Sequence, residues 1–136
     1  MFKNEGKSKT FEIIIRPKIN SSAIDELIFS KIKKTVLGNN YELCLVIIGK
    51  DEIKKINKSY RNIGEPTDIL SFPLTEKEGE ILICPEIARK EAPNFGRSYD
   101  NFIKFLFIHG LIHLKGFEHG DKMESEEKKV RDIFGI

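Results

Sequence analysis

All three histidines of the chain lie within eleven residues, at a spacing that would allow them to bind one metal ion. His109 and His113 are four residues apart, and His119 follows six residues later. Side chains four residues apart lie on one face of a helix, so His109 and His113 could contact the same ion. Gly116 can adopt the left-handed conformation that ends a helix, and the chain could then turn back to bring His119 to that ion.

Three imidazole ligands suit zinc, and they leave a fourth position open for water, as is typical of a catalytic zinc site. The alternative is that these are buried, hydrogen-bonded histidines of an apolar helix. The metzincin peptidases share the spacing, but they have a glutamate directly after the first histidine, and that glutamate is their general base. Gly110 occupies this position here, which argues against peptide hydrolysis by their mechanism.

The first two histidines would be positioned by residues 100–114, which are apolar on nearly all sides and therefore predict a buried helix. Ser98 or Asp100 is its expected cap. Hydrophobic spacing and turn residues predict four strands and four further helices. The strands are expected at residues 11–16, 41–48, 67–74 and 80–84, with a five-residue turn between the last two. The expected fold is one α+β domain over residues 1–136, a small mixed four-stranded sheet packed with helices around the central histidine helix.

Two helix boundaries depend on particular residues. Asn20 or Ser21 is expected to cap the first helix, which Gly38 should end. Asp121 is the expected cap of the last helix. The inner, buried stripe of that last helix is predicted to comprise four apolar residues, Met123, Val130, Ile133 and Phe134.

Composition places the chain among soluble globular proteins. With 136 residues it can bury a core without disulfides, and Cys44 and Cys84 are predicted to be buried free thiols. No apolar run is long enough for a membrane span. The first ten residues lack the apolar segment of a secretory signal, so a cytoplasmic protein is expected.

The net charge of +2 conceals an asymmetry along the chain. Residues 1–61 carry 13 basic against 7 acidic side chains, whereas residues 62–136 carry 10 against 14. The basic excess is concentrated in a predicted helix, at Lys50, Lys54, Lys55, Lys58 and Arg61. Such a face would attract a phosphate backbone, although a merely solvated helix face would have the same composition.

The pattern His-Gly-x-x-His-Leu-x-Gly-x-x-His resembles that of the YbeY family, bacterial zinc-dependent endoribonucleases and ribosomal RNA maturation factors. Tyr60-Arg61 with residues 66–73, and residues 79–84, resemble the other two signature segments of the family, in the same order. Two positions differ from the usual family pattern. Ile112 replaces a leucine, and Glu118 replaces the aspartate before the third histidine.

The resemblance implies a zincin-like fold and one zinc ion bound by His109, His113 and His119. It implies cleavage of single-stranded RNA, in maturation of the 3′ end of 16S ribosomal RNA and in ribosome quality control. Arg61 matches the functional arginine of the family, and a guanidinium suits a phosphate that gains charge during cleavage. Arg61 and His113 are therefore the expected catalytic residues. The implied partners are ribosomal RNA, the small ribosomal subunit and an Era-type GTPase, with no DNA expected.

The sequence does not identify the general base. Zinc lowers the pKa of a bound water to about 7, so hydroxide could itself attack the RNA or deprotonate it. Asp68, Glu65 and Glu118 are the candidate bases or hydrogen-bond partners of the ligands. Ser71 and Asp68 belong to a predicted strand that would form the floor of the cleft. Ser71 is therefore a candidate substrate-binding residue.

Two alternatives belong to other functional classes. One is a zinc peptidase or another hydrolase on a zincin-type scaffold. The other is a non-catalytic ribosome-assembly factor with a structural zinc, which would require a fourth protein ligand, such as Cys44, Cys84 or a carboxylate.

Overall fold

The computed structural model describes residues 10–136. Its strands are β1 (Phe11–Ile15), β2 (Glu42–Ile47), β3 (Ile69–Thr75) and β4 (Glu78–Ile83). Its α-helices are α1 (Glu26–Leu37), α2 (Lys50–Arg61), α3 (Pro85–Glu91), α4 (Tyr99–Leu114) and α5 (Asp121–Phe134), and a 3-10 turn at Ala92–Phe95 links α3 to α4. None of the helices in this part of the chain is both long and apolar enough to cross a membrane. The prediction that the chain lacks a secretory signal rests on its first ten residues, and residues 1–9 lie outside the described range.

The four strands form one mixed sheet in the order β1-β2-β4-β3, which confirms the predicted fold class. β1, β2 and β4 are parallel, and β3 is antiparallel to β4. Strand β2 is a nearly continuous apolar run, and β4 is buried from Gly79 to Ile83, because helices pack on both faces of these central strands. The predicted hairpin is present, but its turn is shorter than expected because pairing extends to Thr75 and Glu78.

Alternating side chains of β2 divide the core into two clusters. Leu43, Leu45 and Ile47 pack in the larger cluster, which also contains the buried residues of α1, α4 and α5. Cys44 and Val46 face the other way, into a smaller cluster that includes Ile53 of α2 and also Cys84. The cysteines are buried free thiols, as predicted, on the face of the sheet opposite the histidine helix.

Helix α4 runs through the larger cluster as the predicted buried histidine helix. Nine of its sixteen residues are buried, and the ring of Phe107 stacks on Phe29 of α1 with centroids 4.7 Å apart. Full burial of one such side chain stabilises the fold by about 1.5–3 kcal/mol. Ser98 is the cap, since its hydroxyl accepts a hydrogen bond from the backbone N–H of Asn101 at 3.2 Å.

Helix α4 approaches the sheet closely at Gly110. A Cβ atom at this position would lie 2.9 Å from Ser71 Oγ and 3.0 Å from the Cδ1 atoms of Ile69 and Ile81. The absence of a side chain therefore allows β3 to pack directly beside the histidines. This contact positions Ser71 at the edge of the site.

Three sequence-based predictions about helices are wrong. The N-cap of α5 is Gly120, and Asp121 is the first residue of the helix and not its cap. Helix α1 is capped by Asp25, which accepts from the backbone N–H groups of Leu27 and Ile28, while the Asn20 side chain is used in a turn with Ser22. In α5, Ile133 is 66% exposed. The buried stripe of α5 instead comprises Met123, Glu127, Val130 and Arg131, because two charged side chains face inward there.

Candidate active site

The structure brings the three histidines to one cleft. His109 and His113 come from the last turns of α4, and His119 comes from the loop before α5, whose glycines Gly116 and Gly120 have φ angles of 106° and 142°. The ring centroid of His119 lies 5.6 Å from that of His109 and 6.4 Å from that of His113. The chain thus turns back after α4, as the glycine at position 116 predicts.

The histidine rings are close to the spacing of a zinc site but somewhat more open. Imidazoles bound tetrahedrally at 2.0–2.1 Å would have ring centres about 5 Å apart. Within residues 10–136, no three His, Cys, Asp or Glu side chains are placed closely enough to hold an ion as they stand. The donor set suits zinc, and modest rotations of these side chains would be needed to close it.

Glu127 of α5 supports the first histidine. Its Oε1 atom lies 3.0 Å from Nδ1 of His109, and the side chain of Glu127 is only 5% exposed. This hydrogen bond raises the pKa of His109, against the lowering effect of burial. A neutral His109 that donates from Nδ1 has the lone pair of Nε2 directed away from Glu127, the arrangement in which carboxylates orient metal-binding histidines. This part of the site therefore fits a zinc ligand.

Arg131 adds a positive charge beside this carboxylate. Its Nη2 atom pairs with Glu124 at 3.1 Å, and its Nη1 atom lies 3.9 Å from Glu127 Oε1. Glu127 and Arg131 were not predicted from the sequence, because charged residues of a helix usually lie on its exposed face. Their spacing of four residues, in line with Met123, was the available signal.

His113 is on the open side of the cleft. Burial, followed by the charges of His109 and His119, lowers its pKa. The neutral imidazole is the form that binds a metal ion.

Arg61, the last residue of α2, lines the same cleft of about 420 Å³ as the three histidines and Ser71. Its Nη1 atom lies 3.5 Å from Oδ1 of Asn57, which is buried one turn earlier in α2. Asn57 also donates from Nδ2 to the backbone carbonyl of Glu65 at 2.8 Å. Asn57 thus connects Arg61 to the loop that leads into β3. Asn57 was not predicted from the sequence, although its position four residues after Ile53 places it on the inner face of α2.

The three candidate bases differ in their positions. Asp68 lines a second cavity of about 330 Å³ that adjoins His109 and His119, and burial raises the pKa of its carboxyl group. Glu65 and Glu118 are exposed, and neither is among the residues that line the two cavities. Of the three, Asp68 is the one that the fold places against the histidines.

The chain matches the family model described as "Endoribonuclease YbeY" over residues 5–134. Proteins named endoribonuclease YbeY are similar over most of their length. The Thermotoga neapolitana protein is 34% identical over 98% of this chain and 82% of its own, and the Aquifex aeolicus protein is 33% identical over 93% and 87%. The solution structure of TM1509 from Thermotoga maritima superposes with a TM-score of 0.67 at 27% identity, covering 92% of this chain and 89% of that one. By its sequence and its fold, the chain belongs to the YbeY family.

Proposed function

We propose that this protein is a zinc-dependent endoribonuclease that cleaves single-stranded RNA during maturation of ribosomal RNA. The observation that carries the proposal is the convergence of His109, His113, His119, Arg61 and Ser71 on one cleft. Relatives across most of the chain are named endoribonucleases, which supports RNA as the substrate. Residues 1–136 would form one such domain.

The residues of the cleft and of the adjoining cavity would have different roles in cleavage. Zinc, when held by the three histidines, would supply a Lewis acid that polarises a phosphoryl oxygen and acidifies water. Arg61 presents forked donors that suit a phosphate group, and Asn57 restrains its guanidinium. Of the three candidate bases, Asp68 alone lines the adjoining cavity with His109 and His119, and burial raises the pKa of its carboxyl group, as suits a base that takes up a proton. Ser71 lines the cleft, where its hydroxyl would donate to the substrate.

The packing of α4 argues against the peptidase alternative. The position used by the peptidase glutamate is Gly110, and atoms of Ile69, Ser71 and Ile81 already occupy the space beside it. A glutamate side chain there would have to displace all three. The packing around Gly110 therefore supports the argument from sequence against a peptidase base at this position.

The arrangement of the core argues against a structural zinc closed by cysteine. Cys44 and Cys84 are 4% and 0% exposed in the cluster on the opposite face of the sheet. Neither cysteine is among the residues that line the two cavities next to the histidines. This placement argues against cysteine as a fourth ligand, and an open coordination position is what a catalytic site requires.

The test is zinc content by elemental analysis together with cleavage of a ribosomal RNA fragment, for wild type, His113→Ala and Arg61→Ala. We expect His113→Ala to lose both zinc and cleavage. Arg61→Ala should keep zinc and lose activity by about 100- to 1,000-fold, the usual cost of removing one donor to a developing negative charge. Cleavage that persists without zinc would assign the activity to a contaminant and favour the assembly-factor alternative.

The cellular setting follows from this substrate. Ribosomal RNA as substrate would place the protein in the cytoplasm on the small ribosomal subunit, where processing of the 3′ end of 16S ribosomal RNA and ribosome quality control take place. An Era-type GTPase is the protein partner that the family resemblance implies. Co-sedimentation with small subunits, with and without such a GTPase, would test both associations.

A further inference from the structure

Two aromatic side chains from different elements meet in the cleft. Tyr60 lies in the last turn of α2 and Phe72 in β3, and their ring centroids are 5.1 Å apart with the planes tilted by 56°. Phe72 is half-buried and packs against the smaller core cluster, which fixes one side of the pair. Tyr60 is 60% exposed. The tilted contact therefore leaves aromatic surface of Tyr60 open to a further ring.

The residues around this aromatic pair indicate which kind of ligand could supply a further ring. Arg61 directly follows Tyr60, and both line the cleft with the three histidines and Ser71. Among the described residues that line this cleft there is no aspartate or glutamate. A guanidinium beside exposed aromatic surface is suited to a ligand with a phosphate and an attached planar base. A nucleotide of an RNA strand has both groups.

We propose that Tyr60 and Phe72 form a stacking site for an unpaired nucleobase of the RNA whose phosphate is bound by Arg61. Aromatic side chains stack on any base, so the site selects an accessible base and not a particular sequence. Bases inside a duplex are covered on both faces by their neighbours and cannot occupy it. This inference rests on the proposed function and assigns a preference for single strands to two particular residues.

The test compares binding of two fluorescently labelled strands by anisotropy, a short single-stranded RNA and an abasic strand with the same sugar-phosphate backbone. Wild type should bind the base-containing strand about 5- to 150-fold more tightly, the range measured for stacking of one base. Tyr60→Ala should bring this ratio close to one. Arg61→Ala should weaken binding of both strands by a similar factor, because it removes a phosphate contact. The control strand is abasic at every position, because a strand with a single abasic position could shift along the site and place another base in it.

Three further variants make the result specific. Tyr60→Phe keeps the ring, so the preference for the base-containing strand should persist. Phe72→Ala should also lower the ratio, and a thermal melt will show whether that variant still folds. Leu74→Ala removes a 48% exposed side chain from the same strand without touching the cleft lining, and its ratio should equal that of wild type.

The possible outcomes separate this inference from the proposed function. If folded Tyr60→Ala keeps the full preference while wild type cleaves RNA, the stacking site is wrong and the nuclease proposal stands. If wild type neither binds nor cleaves RNA, both fall. A ratio that drops in Tyr60→Ala but persists in Tyr60→Phe and Leu74→Ala establishes the stacking site.

Discussion

At the scale of single residues, the site depends on a buried carboxylate that holds a histidine in place. Glu127 contacts Nδ1 of His109 from a different helix, and Nη1 of Arg131 lies 3.9 Å from the same carboxylate oxygen. The hydrogen bond fixes which ring nitrogen carries the proton and thus which one remains for a metal ion. Asn57 has a comparable role for Arg61, through hydrogen bonds to the guanidinium and to the carbonyl of Glu65.

Replacement of Glu127 by glutamine should weaken zinc binding while leaving all three histidines in place. Glu127→Gln keeps the shape of the side chain but removes its charge, so we expect a 10- to 100-fold loss of zinc affinity, the usual effect of losing such a partner. Competition with a chromophoric zinc chelator measures this affinity. Glu126→Gln changes the adjacent residue, which pairs with Lys129 away from the cleft, and is the matched control. Equal affinity in the two variants would show that Glu127 does not support the site.

At the scale of elements, the cleft exists because α4 and β3 pack without a side chain between them. Gly110 lies against Ser71, Ile69 and Ile81. A glycine inside a helix costs about 1 kcal/mol relative to alanine, so a close approach must compensate for it. The same contact sets Ser71 beside the histidines.

Larger residues at position 110 should destabilise the protein in order of size. For Gly110→Ala we expect a change within about 1 kcal/mol, because the nearest atoms are ends of side chains that can rotate and alanine favours the helix. Gly110→Glu should cost more than about 3 kcal/mol, since it combines overpacking with a buried charge. Urea denaturation gives both values. A Gly110→Glu variant that is as stable as wild type and hydrolyses casein would reverse the conclusion drawn from this packing.

At the scale of the whole molecule, the site is assembled from parts of the chain that are far apart in sequence. Helix α2 supplies Arg61, β3 supplies Ser71, α4 supplies two histidines, and the loop before α5 supplies His119. An ion bound by His109, His113 and His119 would tie that loop to α4. Metal binding should therefore stabilise the native state as well as serve the chemistry.

Removal of the metal should lower the melting temperature of the whole domain. A ligand that binds only the native state stabilises it by about 2.7 kcal/mol at a concentration 100 times its dissociation constant. Thermal unfolding followed by circular dichroism, with zinc and with a chelator, measures the difference. His113→Ala is the control, because its melting temperature should respond much less to either addition. An equal response in both proteins would mean that zinc acts elsewhere on the chain.

The features that the sequence predicts correctly are those encoded by neighbouring residues. The histidine spacing, the reversal at Gly116, the buried character of α4 and the strands of the sheet all follow from local periodicity and turn chemistry. The resemblance to the YbeY family rests on the same short motifs, and the family matches confirm it. The predictions that were wrong concern the cap of α1 and the cap and buried face of α5. Several neighbouring residues could cap each helix or lie on its buried face, and tertiary packing selects among them.

Only the tertiary structure decided which distant residues meet. It paired His109 with Glu127, Tyr60 with Phe72, and Gly110 with Ser71, and it placed Cys44 and Cys84 on the far face of the sheet. The spacing of Met123, Glu127 and Arg131 could indicate the inner face of α5, but no pattern in the chain shows which distant residues meet, because each contact joins segments whose separation is set by the order of strands and helices. The histidine motif could therefore be identified from the sequence, whereas its supporting carboxylate and the aromatic pair of the cleft required the fold.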